Sequence, residues 1–399
     1  MELTLLGTGA PLGLPRPDCP CAVCATARGT RARAATALLV DGALLLDLTP
    51  GAALAAARSG HSLVGVRQVL LTHPHDGPAV EVPAGLPAAG RVPDGRELTL
   101  ISGHRVRAVS MDSPGTGYEV TSLDGERLLY LPPGGAVAGL PEEHLRPYDM
   151  VVADVTARPD GLARLRATGA VGATTDVIAV HLDHDVPNGR ELDRRLAAAG
   201  ARAVPDGTTL YVGEYHEVPD VPRRTLVTGG ARSGKSVEAE RRLEAFPEVL
   251  YVATGGNREG DREWSDRVRL HRERRPGSWR TAETCDLVPL LRQDGPALLI
   301  DCLSLWLTDA MDRAGAWDDE RWANGGQEAL RERTAELVAA VRATPRTVVA
   351  VTNEVGSGVV PATASGRRFR DELGRLNSAF GDECEQVLLV VAGQALVLR

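Results

Sequence analysis

The sequence lacks the features that mark a membrane or secreted protein. No apolar run reaches the roughly 18 residues that a transmembrane helix needs. Residues 1–6 carry no basic region of the kind that opens a secretory signal peptide, and their pattern predicts a first β-strand instead. Solenoid repeats and low-complexity tracts are also missing. We therefore expect a cytoplasmic globular protein without a membrane span.

Basic residues are not in excess either. The 399-residue chain has a formal net charge of −8. A protein that binds nucleic acid non-specifically is usually basic, so we expect no nucleic-acid partner. The acidic balance does not exclude nucleotides, because backbone amides at a helix N-terminus can hold phosphate locally.

Cysteine is scarce, with six residues in the chain. A reducing compartment makes a disulfide framework an unlikely use for them, and the scattered Cys285, Cys302 and Cys384 are most simply core thiols. The remaining three form a C-x-C-x-x-C cluster: Cys19, Cys21 and Cys24. Three thiolates this close can supply three corners of a tetrahedral site, so the cluster predicts structural Zn²⁺ with a fourth ligand from elsewhere in the chain. Reduced structural thiols are the alternative.

The length of the chain favours two domains. A segment with two prolines and no regular period predicts a linker at 217–223, between domains at 1–216 and 224–399. The first part is rich in strands and contains a hairpin pattern at 36–47 with an Asp41-Gly42 turn. In the second part, strands alternate with helices, which predicts a doubly wound, mainly parallel sheet. The predicted strands are 224–228, 249–253, 297–301, 347–352 and 386–391, and the predicted helices are 235–245, 328–342 and 366–379.

A phosphate-binding loop follows the first of these strands. The pattern G-x-x-x-x-G-K-[ST] is formed by Gly229, Gly230, Ala231, Arg232, Ser233, Gly234, Lys235 and Ser236. Glycines let consecutive amides converge on phosphate, the lysine neutralises the terminal phosphates, and the last hydroxyl can ligate Mg²⁺. Asp301 ends the apolar strand 297–301 and is placed to hold the same Mg²⁺ or its water; an aspartate that caps a turn is the alternative. Together these features predict a P-loop nucleotide enzyme.

The second part also carries six further patterns in a fixed order. They are Tyr251-Val252-Ala253-Thr254, Arg267-Val268-Arg269-Leu270-His271 with Arg275-Pro276, Trp279-Arg280-Thr281-Ala282-Glu283, Asp301-Cys302-Leu303-Ser304-Leu305-Trp306-Leu307-Thr308, Val351-Thr352-Asn353-Glu354-Val355-Gly356, and Arg368-Phe369-Arg370-Asp371 with Gly374-Arg375-Leu376-Asn377. With the phosphate loop, residues 224–399 resemble the adenosylcobinamide kinase/adenosylcobinamide-phosphate guanylyltransferase family of cobalamin biosynthesis along their whole length.

The resemblance implies two reactions. A nucleoside triphosphate, ATP or GTP, phosphorylates adenosylcobinamide, and GMP is then transferred from GTP to that phosphate through a guanylylated histidine. The matching histidine is His271, and Lys235 is the second catalytic residue. Glu283 and Asp301 are expected in the nucleotide site, Mg²⁺ as the cofactor, and a homo-oligomer as the assembly. A P-loop protein that uses nucleotide only as a regulatory switch is the alternative from another class.

Residues 1–216 resemble the metallo-β-lactamase superfamily, whose domains are αββα sandwiches. The likeness rests on Leu6-Gly7-Thr8-Gly9, Thr72-His73-Pro74-His75 and Val180-His181-Leu182-Asp183-His184. In the related phosphodiesterases a histidine at the position of His184 completes the cysteine site, so His184 is the expected fourth zinc ligand.

The active-site pattern of that superfamily is incomplete in this chain. Gly77 and Pro78 replace an aspartate and a histidine, Met111 replaces a ligand histidine, and Pro132 replaces the bridging aspartate. Three histidines remain as a possible residual metal site: His73, His75 and His181. We therefore expect a domain with a degenerate active site. The alternative is a fusion of two enzymes whose first domain is an active metal-dependent phosphoesterase.

Overall fold

The computed structural model describes residues 1–73, 82–139, 146–214, 221–255 and 275–399. The chain divides into two compact units, Met1–Val221 and Pro222–Arg399. Most of the segment predicted as a linker, 217–223, lies outside the described residues.

The first unit consists of twelve described strands and four described α-helices. The strands are β1 (Glu2–Gly7), β2 (Ala37–Val40), β3 (Leu44–Leu46), β4 (Gln68–Leu70), β5 (Ala89–Gly90), β6 (Glu97–Thr99), β7 (Arg105–Ser110), β8 (Thr116–Thr121), β9 (Arg127–Tyr130), β10 (Met150–Ala153), β11 (Asp176–Ala179) and β12 (Thr208–Tyr211). The helices are α1 (Ala22–Thr26), α2 (Ala52–Arg58), α3 (Pro159–Ala167) and α4 (Arg190–Ala198), with 3₁₀ turns at Gly29–Arg31 and Leu63–Gly65.

These strands form two six-stranded sheets, ordered β12-β1-β2-β3-β4-β5 and β11-β10-β9-β8-β7-β6. One apolar core contains residues of both sheets, such as Leu38 and Tyr118, so the sheets pack face to face. On the other face of the first sheet, α2 packs against Leu39 and Leu45. The connection through α3 joins the parallel strands β10 and β11, and Leu162 and Leu165 of this helix are buried. The predicted αββα sandwich is confirmed.

The predicted hairpin is also present. Strands β2 and β3 pair antiparallel, with Leu39 opposite Leu45. Asp41, Gly42 and Ala43 connect them, and Asp41 and Gly42 have φ angles of 45° and 63°. Two consecutive positive φ values are typical of the type I′ turn, which is why an aspartate and a glycine occupy it.

The second unit contains seven described strands and six described α-helices. The strands are β13 (Arg224–Gly229), β14 (Val249–Ala253), β15 (Arg280–Glu283), β16 (Ala297–Asp301), β17 (Val348–Asn353), β18 (Gln386–Val391) and β19 (Gln394–Val397). The helices are α5 (Lys235–Arg241), α6 (Leu287–Arg292), α7 (Leu303–Arg313), α8 (Asp319–Arg321), α9 (Gln327–Ala343) and α10 (Ala364–Asp382). The segment Trp322–Gly326 joins α8 to α9 through a kink, with Gly325 at a φ of 109°.

These seven strands form one sheet in the order β15-β14-β16-β17-β13-β18-β19. All neighbouring pairs are parallel except β18 with β19. Apolar residues cover both faces, with Leu298 and Ile300 in one core and Leu299 in the other. The predicted doubly wound, mainly parallel sheet is therefore confirmed. The helix predicted at 235–245 is shorter, since α5 ends at Arg241 and turns follow it.

The helices of the described residues are all too short or too polar to cross a membrane.

Candidate functional site

The phosphate loop lies between β13 and the first turn of α5. Gly234 has a φ of 97° and Arg232 a φ of 57°, the left-handed conformations that curl the chain at this point. A side chain at Gly229 would bring a Cβ within 2.5 Å of the Val390 carbonyl oxygen, so this position needs glycine. Lys235 is 6% exposed, and its Nζ donates to the Gly230 carbonyl at 3.0 Å. The ammonium thus lies inside the curve of the loop.

Two hydroxyls beside the loop have no hydrogen-bond partner in the part of the chain that the structure describes. They are Thr228 Oγ1 and Ser233 Oγ, and both atoms are buried. A buried hydroxyl without a partner costs free energy comparable to a lost hydrogen bond. Acceptor oxygens of a bound phosphate would satisfy both groups.

The parallel register brings the predicted site residues to one edge of the sheet. Ala253 pairs with Asp301 on one side and with Glu283 on the other, and Gly229 pairs with Asn353. The carboxyl ends of β15, β14, β16 and β17 therefore lie on the same edge of the sheet as the phosphate loop. This is the edge at which open parallel sheets bind their ligands.

Asp301 is held by a tyrosine that opens one of the sequence patterns. The Tyr251 hydroxyl donates to Asp301 Oδ2 at 3.1 Å. Burial and the neighbouring Asp301 raise the pKa of this phenol, while Arg275 opposes the rise. The hydroxyl is consequently a proton donor to the carboxylate across the whole neutral range.

Asn353 belongs to a polar network that joins β17 to α7 and α10. Its side-chain amide donates to Ser304 Oγ at 3.0 Å. Asn377 donates to the Asn353 carbonyl at 3.0 Å and accepts from Thr352 Oγ1 at 2.7 Å. These contacts fix the end of β17 beside the loop, where the Glu354 amide donates to the Gly229 carbonyl at 3.1 Å. Asn377 and Ser304 lie in the sequence patterns above, but nothing in the patterns indicated this pairing.

The predicted nucleophile, His271, lies outside the described residues, as do the arginines from 267 to 274 that surround it. Of that basic group the structure describes Arg275, whose side chain is 7% exposed. Trp306 is 1% exposed and lies in the apolar core.

In the first unit, the three clustered cysteines and His184 lie together. Their Sγ atoms are 3.2 Å (Cys19), 3.7 Å (Cys21) and 3.5 Å (Cys24) from His184 Nδ1. The Cys24 amide donates to Cys21 Sγ at 3.3 Å and lowers the pKa of the Cys21 thiol to about 7. All four ligand atoms lie within 4.8 Å of one another, which suits one tetrahedral zinc ion.

The predicted residual metal site is only partly described. His75 lies outside the described residues. His73 Nδ1 lies 2.9 Å from Thr72 Oγ1, and His181 Nε2 lies 3.2 Å from the Leu131 carbonyl oxygen. Burial lowers the pKa of His181. Since a carbonyl only accepts, this bond requires a proton on Nε2 and leaves Nδ1 as the nitrogen able to bind a cation.

Two positions at which the related enzymes have metal ligands carry Met111 and Pro132 in this chain. A Cβ added to Gly135 would lie 2.9 Å from Pro132 Cγ and 3.0 Å from Met111 Cε, so these two side chains are neighbours. Within the described ranges, the groups of three or more potential metal ligands are the cysteine site and Asp183 with His184 and Asp185. Neither group includes His73 or His181.

A phosphate loop on the first strand of a doubly wound parallel sheet, with a carboxylate at the end of a neighbouring strand, defines the class of P-loop proteins. Residues 225–398 match the family described as cobinamide kinase / cobinamide phosphate guanyltransferase, and the chain belongs to this family.

Two relatives show the extent of the match. The chain is 42% identical over 181 residues to the bifunctional adenosylcobalamin biosynthesis protein CobP of Pseudomonas aeruginosa, and the alignment covers 44% of this chain and 97% of that protein. It is 40% identical over 185 residues to the protein CobU of Salmonella typhimurium, which bears the same description, with 44% and 98% covered. The second unit therefore spans nearly the whole length of these relatives.

Solved structures resemble the chain more distantly. A structure described as a new diphosphatase from the PhnP family has 21% identity and a TM-score of 0.40, covering 52% of this chain and 96% of that one. Zinc-bound PqqB from Methylobacterium extorquens has 18% identity and a TM-score of 0.39, covering 53% and 100%. At this distance the likeness concerns the fold alone.

Proposed function

We propose that residues 224–399 catalyse two consecutive steps of cobalamin biosynthesis. In the first, a nucleoside triphosphate phosphorylates the aminopropanol hydroxyl of adenosylcobinamide. In the second, GMP passes from GTP to that phosphate, which releases pyrophosphate and forms adenosylcobinamide-GDP. The observation that carries the proposal is the buried Lys235 inside a phosphate loop at the sheet edge where Asp301 ends its strand, in a chain that matches bifunctional relatives over nearly their full length.

The loop residues have separate roles in this proposal. Amides from Gly230 to Ser236 and the ammonium of Lys235 bind the triphosphate, because they concentrate positive charge and donors in one concave turn. Ser236 and Asp301 would hold Mg²⁺, which supplies charge neutralisation between phosphate oxygens. Glu283, at the end of β15, lines the same edge of the sheet.

His271 is the proposed carrier of GMP. A neutral imidazole is a good nucleophile near pH 7, and a covalent intermediate divides one difficult displacement into two easier ones. It is the only histidine after position 216 in the sequence, so no other residue of its type competes for the role.

The test is incubation of the full chain with GTP labelled at the α-phosphate, followed by mass mapping of the labelled peptide. We expect GMP on His271, removed when adenosylcobinamide phosphate is added. A chain that binds GTP but acquires no label would be a nucleotide switch and not a guanylyltransferase.

For the first unit we propose structural Zn²⁺ on Cys19, Cys21, Cys24 and His184, and no metallohydrolase activity. The four ligand atoms within 4.8 Å support the zinc site. The side chains of Pro132 and Met111 are neighbours beside Gly135. Neither residue is a useful ligand for zinc or manganese, which supports the absence of a dinuclear centre.

We also propose that the protein is a homo-oligomer. The hairpin of β18 and β19 exposes large apolar side chains, among them Leu396 at 53% and Val397 at 56%. Contiguous exposed apolar groups are typical of association surfaces. Light scattering on the eluting protein should give a molar mass that is a multiple of the 42.3 kDa chain.

A further inference from the structure

A chain of buried polar contacts runs from the helix of the phosphate loop to Asp301. At one end, Glu240 on α5 lies 3.7 Å from Arg275 Nε. At the other end, Tyr251 on β14 donates to Asp301 Oδ2 on β16 at 3.1 Å. Between them, the Arg275 guanidinium carbon lies 3.2 Å from the centre of the Tyr251 ring.

All three members that precede Asp301 are removed from solvent. Tyr251 and Glu240 are each 6% exposed, and the Arg275 side chain is 7% exposed. Buried charges are costly unless they are paired, so an arrangement of this kind holds each member in one geometry. The fixed geometry is passed to the carboxylate through the tyrosine hydroxyl.

The stacking also affects the strength of that hydrogen bond. A cation against the ring withdraws electron density from the phenol and makes its hydroxyl a better donor. The hydroxyl engages Oδ2 of Asp301 and so restrains the orientation of the carboxylate.

We propose that Tyr251 and Arg275 are positioning residues that orient the Asp301 carboxylate toward the Mg²⁺ of the bound triphosphate. This inference rests on the proposed function, in which Asp301 holds that cation. It assigns Arg275, at the end of the basic group around His271, to the metal site. Neither residue touches the reacting atoms.

The first unit contains a natural control with the same three kinds of group: a carboxylate, a tyrosine that donates to it, and an arginine that stacks on the tyrosine ring. Tyr148 donates to Glu119 Oε2 at 3.0 Å, and the Arg127 guanidinium carbon lies 4.3 Å from the centre of the Tyr148 ring. Tyr148→Phe removes an equivalent buried hydroxyl far along the chain from the phosphate loop. Its effects report what the loss of such a bond does to folding alone.

The experiment is the kinase reaction of the full chain titrated with Mg²⁺, for wild type, Tyr251→Phe and Tyr148→Phe. We expect the half-saturating Mg²⁺ concentration to rise about tenfold in Tyr251→Phe, because a charge-assisted hydrogen bond to the metal carboxylate is lost. The turnover at saturating Mg²⁺ should stay close to that of wild type. Tyr148→Phe should leave the Mg²⁺ dependence unchanged.

A second readout does not depend on turnover. Mn²⁺ binding to the protein with a non-hydrolysable GTP analogue, followed by electron paramagnetic resonance, should weaken in Tyr251→Phe, in Arg275→Ala and most of all in Asp301→Asn. The double variant of Tyr251 and Arg275 should be less affected than the product of the two single effects, since both act through one carboxylate. Arg275→Lys should restore part of the loss.

The outcomes separate the two proposals. If Asp301→Asn weakens Mn²⁺ binding and Tyr251→Phe changes neither titration, the positioning role is wrong and the proposed function stands. If Tyr251→Phe and Tyr148→Phe alter the Mg²⁺ dependence equally, the effect is one of folding and the positioning role is also wrong. If wild type shows no kinase activity and binds no nucleotide, the proposed function itself fails.

Discussion

Lys235 is the single lysine among the 45 lysine and arginine residues of the chain. Elsewhere arginine supplies the positive charge, but in the phosphate loop the group must fit inside one tight turn. The ammonium is a compact point charge, whereas the planar guanidinium fork is larger and needs partners on several sides. The 3.0 Å hydrogen bond from Lys235 Nζ to the Gly230 carbonyl lies within the loop itself.

Lys235→Ala should therefore impair both reactions, by on the order of 10²-fold or more in turnover, because each reaction uses a triphosphate bound in this loop. Both products can be followed by chromatography of the corrinoids. Wild-type rates in both assays would exclude the loop from catalysis.

The same lysine offers a chemical probe. A reagent that acylates amines can modify only the N-terminus and Lys235 in this chain, so mass mapping gives a clear count. GTP with Mg²⁺ should protect Lys235 and leave the N-terminus reactive. Equal modification of Lys235 with and without nucleotide would contradict the proposed position of the triphosphate.

His271→Ala should separate the two reactions. Only nucleotidyl transfer needs a covalent carrier, so this variant should lose GMP transfer and retain most of the kinase reaction. Accumulation of adenosylcobinamide phosphate is the expected readout. Formation of adenosylcobinamide-GDP at the wild-type rate would mean that another residue carries GMP.

Single residues differ in how far the sequence predicts them. The phosphate loop was predictable because glycine, lysine and serine at fixed spacing have a local physical reason. The stacking of Arg275 on Tyr251 was not predictable, because it joins a strand to a residue 24 positions later and depends on tertiary packing. The contacts of Asn377 were hidden for the same reason.

At the scale of elements, the cysteine site ties a short helix to a distant loop. Helix α1 has five residues and begins after Cys21, whose thiol accepts from the Cys24 amide. A helix of this length is not stable by itself. The position of α1 within the first unit depends on the small apolar cluster of Leu14, Cys24 and Ala27. It also depends on the contact of the cysteines with His184.

We expect about one zinc per chain, with Zn–S distances of roughly 2.3 Å. Cys21→Ser should reduce the zinc content and lower the unfolding temperature of the first unit, because metal-binding energy contributes to folding. Cys285→Ser, which changes a cysteine outside the cluster, should keep the zinc. Purified protein without zinc, and with all three clustered thiols open to alkylation, would refute the site.

Strands and helices were predicted unevenly for a clear reason. Buried strands such as β14 and β16 have continuous apolar runs, and both were predicted with the bounds that the structure shows. Strand β15 was missed because it is a largely exposed edge strand, Arg280–Glu283, with no apolar pattern. Strand β19 was missed because it is a short edge strand with exposed side chains.

At the scale of the whole molecule, one chain combines two units that we expect to differ in catalytic activity. In the second unit, Lys235 and Asp301, which we propose for its reactions, lie at one edge of the parallel sheet. The first unit retains a layered sandwich with His181 in a cavity of about 190 Å³, shared with Asp154. In that cavity Asp154 already accepts from the Ala157 amide at 3.0 Å and from the Gly134 amide at 3.1 Å.

We therefore expect no metal-dependent phosphodiesterase activity from the first unit. The assay uses the full chain with manganese or zinc against cyclic and linear phosphodiesters, in the Lys235→Ala background to remove nucleotide chemistry of the second unit. A dinuclear centre needs ligands for two cations about 3.5–4 Å apart, and Met111 and Pro132 cannot provide them. Turnover that disappears on His73→Ala would instead support a fusion of two enzymes.

The cysteine site has a consequence for the synthesis of the protein on the ribosome. Cys19 and His184 are 165 positions apart in the chain. At a synthesis rate of about 5–20 residues per second, the thiols emerge roughly 8–33 s before the imidazole that meets them. During that interval the nascent chain carries three neighbouring thiols without their fourth ligand. Oxidants and competing soft metal ions therefore reach these thiols most easily in this period.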